Sequence, residues 1–326
     1  MLWLRGLIGH AEVSTRRPYR WSNALLSSAA VDQDVRDRFL LIDGHNMAYR
    51  QHFGLPPMFT KSGQSISAVY GFTRKLAQFD ELFPGYKKIA VFDSPGPTTR
   101  TASFPEYKMQ RPSMPLNLRA EMLAIQEGCE CLGATPLALP GVEADDLIAS
   151  LVTLARSSAA SEVVIVSTDK DLLQLVSPAS AVTSVQVWND HKKVFFDHDA
   201  VVEKLGVPPA LIADLLAMVG DTVDNVPGIP GIGPKTAVKL LTEYGTLENV
   251  LANAPSMAKS KRQQALVEHA VQARVSKQLI QLMHDVMIDP EVLSSTQTCI
   301  SSCDKDRLRE FLTRYELNQL QKRLKL

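Results

Sequence analysis

Three short apolar runs in the first half of the chain each end in acidic residues. The runs read Phe-Leu-Leu-Ile-Asp at 39–43, Lys-Ile-Ala-Val-Phe-Asp at 88–93, and Val-Val-Ile-Val at 163–166 ahead of Ser-Thr-Asp-Lys-Asp. Unbroken apolar runs of this length are typical of strands that are buried on both faces. They alternate with segments of helical apolar spacing at 65–83, 116–132 and 143–156. The pattern therefore predicts an α/β fold with a mostly parallel sheet covered by helices.

The acids that end these runs predict a functional site at one edge of the sheet. Asp43 and Asp93 end the first two runs, and Asp169 and Asp171 follow the third. The carboxyl ends of parallel strands lie at one edge, and the functional crevice of an open α/β sheet lies outside that edge. We therefore expect Asp43, Asp93 and Asp169 to meet there. A solvated loop is the alternative explanation for the last two acids.

Two further segments place acids close together in the chain. The first carries Glu143, Asp145 and Asp146, and the second carries Asp221 and Asp224. Taken alone, these acids could complement a helix dipole or belong to ordinary turns. With the acids at the strand ends, however, they make nine carboxylates, whose mutual repulsion makes a purely structural role costly. The set predicts a site for two hard ions, Mg²⁺ or Mn²⁺, which prefer oxygen ligands.

The overall charge is consistent with such a site. The chain has 35 basic and 35 acidic side chains, and a net charge of zero by itself disfavours a nucleic-acid partner, because such domains are often basic. If nine acids are gathered in one metal site, 26 acidic residues remain against the 35 basic ones. The neutral balance would then conceal a basic surface. The longest apolar runs end within about a dozen residues, so we expect no membrane-spanning helix.

The segment 228–237, Gly-Ile-Pro-Gly-Ile-Gly-Pro-Lys-Thr-Ala, predicts a hairpin that leads into a helix. Its glycines would let the backbone approach a phosphate, and the helix N-terminus would offer amides to it. Contacts of this kind read the nucleic-acid backbone and not its sequence. A tight turn between two helices is the alternative. The residues predicted to contact DNA here are Gly228, Gly231, Gly233, Lys235, Thr236 and Lys239.

A second cationic segment lies between the second strand and the helix predicted at 116–132. Residues 94–115 contain five prolines and predict an irregular stretch that carries Arg100, Lys108 and Arg111, with Tyr107 among them. Cations here could neutralise a phosphate, and Tyr107 could stack on an unpaired base. A solvated loop is again the alternative.

The order of these motifs resembles that of the 5′–3′ exonuclease family, which includes the N-terminal domain of bacterial DNA polymerase I and the flap endonucleases of phages and eukaryotes. The resemblance runs from about residue 39 to the C-terminus, and it implies a PIN-like nuclease core followed by a helical, helix–three-turn–helix DNA-binding region. The matching motifs are Asp43-Gly-His-Asn, Val69-Tyr-Gly-Phe, Val91-Phe-Asp, Tyr107-Lys-x-x-Arg111, Val142-Glu-Ala-Asp-Asp, Thr168-Asp-Lys-Asp, Gly220-Asp-x-x-Asp224-Asn and the 228–237 hairpin.

The resemblance also implies a role for each of these residues. The first metal cluster would consist of Asp43, Asp93, Glu143, Asp145 and Asp146. The remaining acids of the site, some of them acting through water, would be Asp169, Asp171, Asp221 and Asp224. Lys108 and Arg111 resemble cations that contact the scissile phosphate. Tyr107 resembles the aromatic residue beside them, and Arg100 a further basic position.

The implied reaction is metal-dependent hydrolysis of phosphodiesters near free 5′ ends or 5′ flaps of DNA, and RNA primers are a further substrate to consider. K⁺ at the 228–237 hairpin and a monomeric protein are also expected. One alternative is a PIN-type ribonuclease acting on organelle RNA, although the hairpin suits a duplex backbone. The other is a catalytically silent protein that binds DNA junctions, although all nine expected acids are present.

The N-terminal residues differ in composition from the rest of the chain. Residues 1–30 contain four arginines, four serines and one acid, Glu12. This composition predicts an organelle transit peptide at 1–37, with the mitochondrion slightly favoured over the plastid, or else a disordered leader. The remaining chain is predicted to divide into the core at 38–205 and the DNA-binding region at 206–326. With no polymerase domain present, the resemblance implies a stand-alone nuclease like the organelle-targeted members known from plants.

Overall fold

A six-stranded sheet forms the centre of the protein, and its strand order is β3-β2-β1-β4-β5-β6. This computed structural model describes residues 36–296 and 304–326, so the predicted leader lies outside the described residues except for its last two positions. The strands are β1 (Arg38–Asp43), β2 (Lys87–Val91), β3 (Ala134–Leu137), β4 (Glu162–Val166), β5 (Ser184–Asn189) and β6 (Val194–Phe196). Only β6 pairs antiparallel among them. The predicted, mostly parallel sheet is confirmed.

The register of the sheet brings the three predicted acidic strand ends to the same edge. Leu41 in the central strand β1 lies between Ile89 and Ile165 of the neighbouring strands. Asp43 pairs with Val91 at the end of β2, and the 93 and 169 positions follow β2 and β4 within three residues. Since all three strands run parallel, their carboxyl ends meet at one edge.

Helices cover both faces of the sheet. The helices are α1 (Gly44–Gly54), α2 (Ser67–Leu82), α3 (Thr99–Ser103), α4 (Leu116–Cys131), α5 (Ala144–Ser157), α6 (His198–Leu205), α7 (Ile212–Val219), α8 (Pro234–Tyr244), α9 (Leu247–Asn253), α10 (Lys261–Glu268), α11 (Ala270–Ile280), α12 (Glu291–Ser295), α13 (Lys305–Arg314) and α14 (Asn318–Leu324). One face of β1, with Leu40 and Ile42, packs with residues of α1, α2 and α4. The other face, with Phe39 and Leu41, packs with α5 and the helices of the 207–293 region. Among the described residues, no helix combines the length and the hydrophobicity needed to cross a membrane.

The stretch at 94–115 is more ordered than the prolines indicated. A short helix, α3, forms within it because Thr98 and Thr101 make a reciprocal capping box, in which each side chain accepts a hydrogen bond from the other residue's backbone amide. This helix turns one of the predicted basic residues, Arg100, into the protein interior, where its side chain is buried.

The predicted DNA-binding region at 206–326 is divided between the two faces of the sheet. Helices α7 to α11 belong to the core on the α5 side, whereas α13 and α14 belong to the core on the α2 and α4 side. Phe311 of α13 is fully buried, and a Cβ added to Gly128 of α4 would come within 2.9 Å of its ring. The last two helices of the predicted region therefore pack on the face of the sheet that α2 and α4 cover.

Candidate active site

Asp43 lies where β1 ends and helix α1 begins. Its Oδ1 accepts a hydrogen bond from the Asn46 amide at 3.0 Å, which caps α1, and its Oδ2 accepts one from the Ser167 hydroxyl at 2.7 Å. The pKa of Asp43 is raised to about 7, mainly by burial and in part by the nearby carboxylates of Asp169 and Asp93, while these two hydrogen bonds act to lower it. The acids at the three strand ends therefore meet, as the sequence predicted.

Asp145 joins the same group from the first turn of α5. Burial raises its pKa well above the usual range, and the charges of Asp169, Asp43 and Asp93 add to this effect. Asp93 fixes the start of α5, because its Oδ1 accepts a hydrogen bond from the Ala144 amide at 2.8 Å. We call Asp43, Asp93, Asp145 and Asp169 the first acidic group.

A second acidic group consists of Asp171, Asp221 and Asp224, whose carboxylate oxygens lie within 4.8 Å of one another. Asp171 begins a 3₁₀ helix (Asp171–Leu175), and its amide donates to Asp169 Oδ1 at 2.9 Å, which links the two groups. Burial raises the pKa of Asp171 to about 8, with contributions from the charges of Asp169, Asp221 and Asp224. Asp171 Oδ1 is buried and accepts no hydrogen bond from the described residues.

Three cations are paired with acids at the border of the site. Lys108 Nζ lies 2.6 Å from Glu143 Oε2, and Lys170 Nζ lies 2.7 Å from Asp221 Oδ2. Burial acts to raise the pKa of Glu143 and of Asp221. The ammonium group of Lys108 outweighs this effect and lowers the pKa of Glu143, and that of Lys170 does the same for Asp221.

Arg111 forms the third of these pairs. Its guanidinium donates to Asp224 Oδ1 from Nη2 at 2.5 Å and from Nε at 3.0 Å. The Lys108 amide donates to the Asp224 carbonyl at 3.0 Å. The predicted phosphate-contacting cations, Lys108 and Arg111, are thus held against the carboxylates on both sides of the site.

Tyr107 is not placed to stack on a base in this structure. Its side chain is 6% exposed, and its hydroxyl lies 3.4 Å from Glu143 Oε2. The Lys108 ammonium covers the ring at 4.8 Å from its centroid. The expected base-stacking role is therefore corrected: the ring packs under Lys108 and supports the Lys108–Glu143 pair.

Arg100 and Asp146 also differ from their predicted roles. Arg100 is buried and donates to both oxygens of Asp146, whose side chain is fully buried. The buried guanidinium of Arg100 is not accessible to DNA. Both oxygens of Asp146 are bonded to that guanidinium, so the Asp146 carboxylate points away from the acidic groups. The assignments of Arg100 to DNA binding and of Asp146 to the metal cluster are therefore not supported by the geometry.

The two acidic groups have the chemistry of a divalent-metal site. Their donors are carboxylate oxygens, which hard ions such as Mg²⁺ prefer. Burial, and after it the charges of the neighbouring acids, raises the pKa of Asp43, Asp145 and Asp171, so their charged forms are disfavoured when no cation neutralises them. The unpartnered oxygen of Asp171 points to the same conclusion. The residues best placed to hold metal are Asp43, Asp93, Asp145, Asp169, Asp171, Asp221 and Asp224, with Glu143 at the border.

The predicted hairpin follows the second acidic group directly. Asp221 and Val226 form an antiparallel bridge that closes the loop before it. Gly228 is required for packing, because a Cβ there would lie 2.3 Å from the Val219 carbonyl oxygen. Gly231 has a φ of +76°, which favours glycine. An added Cβ at Gly231 or Gly233 would meet none of the described atoms within 4 Å, so their surroundings are open.

Helix α8 begins at Pro234 as predicted, with Gly233 as its N-cap. Lys235 and Lys239 are exposed on this helix, and Thr236 is partly exposed. The backbone of the hairpin turn and these two lysines therefore form one accessible basic surface next to the second acidic group.

Family models match two consecutive parts of this chain. The model described as the 5′–3′ exonuclease N-terminal resolvase-like domain matches residues 38–206, and the model described as the 5′–3′ exonuclease C-terminal SAM fold matches residues 207–301. The chain belongs to the 5′–3′ exonuclease family. The resemblance inferred from the motifs is thereby confirmed, and membership identifies the chain as a nuclease.

Similar proteins differ in how much of their length the chain covers. A 5′–3′ exonuclease of Aquifex aeolicus is 38% identical over 282 residues, which are 86% of this chain and 93% of that protein. DNA polymerase I of Pseudomonas aeruginosa is 41% identical over 262 residues, which are 78% of this chain but 28% of the polymerase. The thermostable DNA polymerase I of Thermus thermophilus is 35% identical, and the match covers 33% of its length.

Solved structures confirm the fold of this 5′–3′ exonuclease family member. The bacteriophage T5 5′-exonuclease with bound zinc ions aligns with a TM-score of 0.64 at 20% identity, covering 85% of this chain and 98% of the phage protein. The catalytic core of Rad2 in complex with DNA substrate aligns with a TM-score of 0.56 at 18% identity, covering 86% and 88% of the two chains. At these identities the likeness concerns the α/β core and the helical region that follows it.

Several residues next to the acids had no role in the sequence interpretation. Ser167 donates to Asp43, and Lys170 pairs with Asp221. Ser167 lies two residues before Asp169, and Lys170 lies between Asp169 and Asp171. Their positions beside predicted acids could therefore have indicated a role in the site. Thr98 donates to Glu143 Oε1 at 3.0 Å across a separation of 45 residues, and no local pattern could have indicated that contact.

The metal-free protein is expected to lose stability as the pH rises from about 4 to about 8. Asp43 and Asp171 have pKa values raised from 3.8 to about 7 and about 8, so the folded chain holds protons in this window that the unfolded chain has released. The free energy of unfolding therefore falls as the pH rises. In EDTA, the Tm measured by circular dichroism should be roughly 5 °C or more lower at about pH 8 than at about pH 5.5.

Saturating Mg²⁺ should remove most of this pH dependence, because bound cations replace the protons. Asp171→Asn should flatten the profile in EDTA. Glu203→Gln is the control, since it removes an exposed carboxylate far from the acidic groups in the chain, and it should leave the profile unchanged. A Tm that rises over the same pH range in EDTA would contradict the assignment.

Proposed function

We propose that this chain is a divalent-metal-dependent 5′–3′ exonuclease and structure-specific flap endonuclease that hydrolyses phosphodiesters near the 5′ ends of DNA. The observation that supports it best is the direct connection between the second acidic group and the hairpin. The loop that carries Asp221 and Asp224 leads into Gly228, and the Ile229 amide donates to the Met218 carbonyl at 2.8 Å. A duplex bound at the hairpin would therefore lie at a fixed distance from the carboxylates.

The residues of the site divide into two roles in this proposal. The two acidic groups would hold two ions, Mg²⁺ or Mn²⁺. When bound, such ions polarise the phosphodiester, lower the pKa of a water molecule and stabilise the leaving oxygen. Lys108 and Arg111 lie within hydrogen-bonding distance of carboxylates at the border of the site. A substrate phosphate could replace those carboxylates as the partner of Lys108 and Arg111, and it would then be held in place for attack.

The comparisons support a divalent metal and a DNA substrate. The phage T5 enzyme is described with divalent metal ions and in a product complex with DNA, and the Rad2 core with DNA substrate. In the present chain, the exposed lysines of α8 and the open surroundings of Gly231 would grip the duplex through its phosphates. Three finer parts of the proposal rest on the family resemblance alone. They are K⁺ binding at this hairpin, Mg²⁺ or Mn²⁺ as the divalent ion, and action on RNA primers.

A 5′-labelled flap duplex should be cut by the chain lacking residues 1–37 in Mg²⁺ but not in EDTA, leaving a 5′-phosphate on the retained strand. The lengths of the labelled products would separate trimming from the 5′ end from cutting at the junction. Asp145→Asn should lower kcat by roughly 10²- to 10³-fold, because it removes charge where the metal ions act. Filter binding in Ca²⁺ should show that the same variant still binds the duplex.

Asp199→Asn is the control for this experiment, and it should cut like the wild type. Unchanged cleavage by Asp145→Asn would disprove the assignment of the site. Binding without cleavage by the wild type in both Mg²⁺ and Mn²⁺ would favour the silent junction binder. Preferential cleavage of a matched RNA panel would favour the ribonuclease alternative.

Reversing the charges of Lys235 and Lys239 should weaken duplex binding by about tenfold at moderate salt, whatever the DNA sequence. The slope of log affinity against log salt should fall by about two, because two phosphate contacts release fewer counterions. Fluorescence anisotropy in Ca²⁺ measures both quantities. Lys305→Glu reverses the charge of an exposed lysine in α13, a helix that packs on the opposite face of the sheet from α8. It should have no effect, and an equal loss there would rule out a specific basic surface.

We also propose that the nuclease acts in organelle DNA replication or repair. The arginine-rich, acid-poor composition of residues 1–30 supports this proposal. A fluorescent protein fused behind residues 1–37 should enter mitochondria, and replacing the four arginines of that segment with alanine should leave it in the cytosol. Entry into plastids would correct the organelle, and a diffuse signal from the unchanged segment would refute targeting.

A further inference from the structure

A buried ion pair lies beneath the carboxylates of the site. Arg100 of α3 donates to both oxygens of Asp146 in the first turn of α5, and the Nη2–Oδ1 distance is 2.8 Å. The Asp146 side chain has an exposed fraction of 0%, and that of Arg100 is 8% exposed. Paired donation by one guanidinium to both oxygens is the strongest geometry available to such a pair.

A backbone amide completes the environment of the Asp146 carboxylate. The Met283 amide donates to its Oδ1 at 2.9 Å. Asp145, the preceding residue, instead interacts with the charges of Asp169 and Asp43. The two neighbouring acids therefore face different parts of the protein. If Asp146 turned to bind a metal ion, Arg100 would remain in the interior as an unpaired charge, which is strongly unfavourable.

The pair also binds the segment that follows α11. Arg100 Nη2 donates to the Gln281 carbonyl at 2.8 Å. Further along α5, the Ser150 hydroxyl donates to the Met283 carbonyl at 3.3 Å and accepts from the Val286 amide at 3.1 Å. Residues 281–286 are thus bonded to the helix that carries Glu143 and Asp145.

At its other end, this connection reaches the hairpin. Helix α11 holds the hairpin from behind, because the Ser276 hydroxyl donates to the Pro227 carbonyl at 2.7 Å and the Gln272 amide group donates to the Gly228 carbonyl at 3.1 Å. A continuous series of hydrogen bonds therefore runs from the hairpin through α11 and residues 281–286 to the Arg100–Asp146 pair.

We infer that Arg100 and Asp146 are positioning residues that fix the first turn of α5, and hence Glu143 and Asp145, relative to the DNA-gripping hairpin. Neither side chain binds metal or DNA directly. Arg100 Nη1 also lies 3.7 Å from Glu143 Oε2, so the pair orients that carboxylate as well. This inference rests on the proposed metal-dependent nuclease function and refines it.

The test replaces both members of the pair, because removing one would leave a buried charge. The variant Arg100→Gln with Asp146→Asn removes both charges of the pair together and leaves neutral amide side chains in their place, and Asp145→Asn serves as the comparison. Mn²⁺ binding without DNA is measured from the electron paramagnetic resonance of the free ion. The double variant keeps every acid that faces the metal site and should lose much less Mn²⁺ affinity than Asp145→Asn, which should bind at least about tenfold more weakly than the wild type.

The kinetic result distinguishes positioning from ligation. On the flap duplex, the double variant should lose roughly 10- to 100-fold in kcat, and raising Mn²⁺ should not restore it. The KM for DNA should change little, because the hairpin surface is unaltered. A loss of Mn²⁺ affinity equal to that of Asp145→Asn, or full rescue of kcat by added Mn²⁺, would overturn the inference.

If the double variant does not fold, a crystallographic measurement shows whether Asp146 coordinates a metal ion. Anomalous scattering from Mn²⁺ in crystals of the wild-type protein locates the ions, and Asp146 should lie outside coordination distance with Arg100 still bonded to it. An Mn²⁺ ion about 2.2 Å from an Asp146 oxygen would overturn the inference alone. A wild-type protein that binds no Mn²⁺ would overturn the proposed function, and the inference would fall with it.

Discussion

Mutual repulsion among buried carboxylates is the constraint on which the rest of this structure depends. Parallel strands deliver Asp43, Asp93 and Asp169 to one edge, and the loop after α7 adds Asp221 and Asp224. Such a concentration of charge is unfavourable in a folded chain without compensation. Compensation comes from retained protons, from the bonded cations Lys108, Arg111 and Lys170, and from helix starts whose amides bond to the acids. A divalent ion that binds the carboxylates could replace the protons or the bonded cations.

The scaffold around the site connects the acids and the hairpin through packing and hydrogen bonds. Helix α11 supports the hairpin from behind, and the segment after it is hydrogen-bonded along α5. On the opposite face, α13 and α14 close the core over α2 and α4. Catalytic groups must be held within fractions of an ångström of productive geometry. The proposed function, in which a duplex is bound at the hairpin and cut at the acidic groups, would need such a spacing.

The structure separates side chains that the family resemblance had grouped together. Asp145 faces the other acids, while Asp146 is bonded to Arg100 in the interior. Tyr107 supports Lys108 from below and has no face open to a base. In the proposed nuclease, these residues would serve the site through the placement of Glu143 and α5 and not through contact with metal or DNA.

The sequence alone determined the sheet, the convergence of the strand-end acids and the start of α8. Those features depend on local periodicity, on glycine and proline, and on the rule that parallel strands end at one edge. Tertiary structure alone decided which of two adjacent acids in α5 faces the site, because neighbouring helical positions point about 100° apart and the rotation of the helix is set by its packing. It also decided that Arg100 is buried and that α13 and α14 join the nuclease core. Those outcomes rest on contacts between residues far apart in the chain, such as Arg100 with Gln281 and Gly128 with Phe311, which no local pattern encodes.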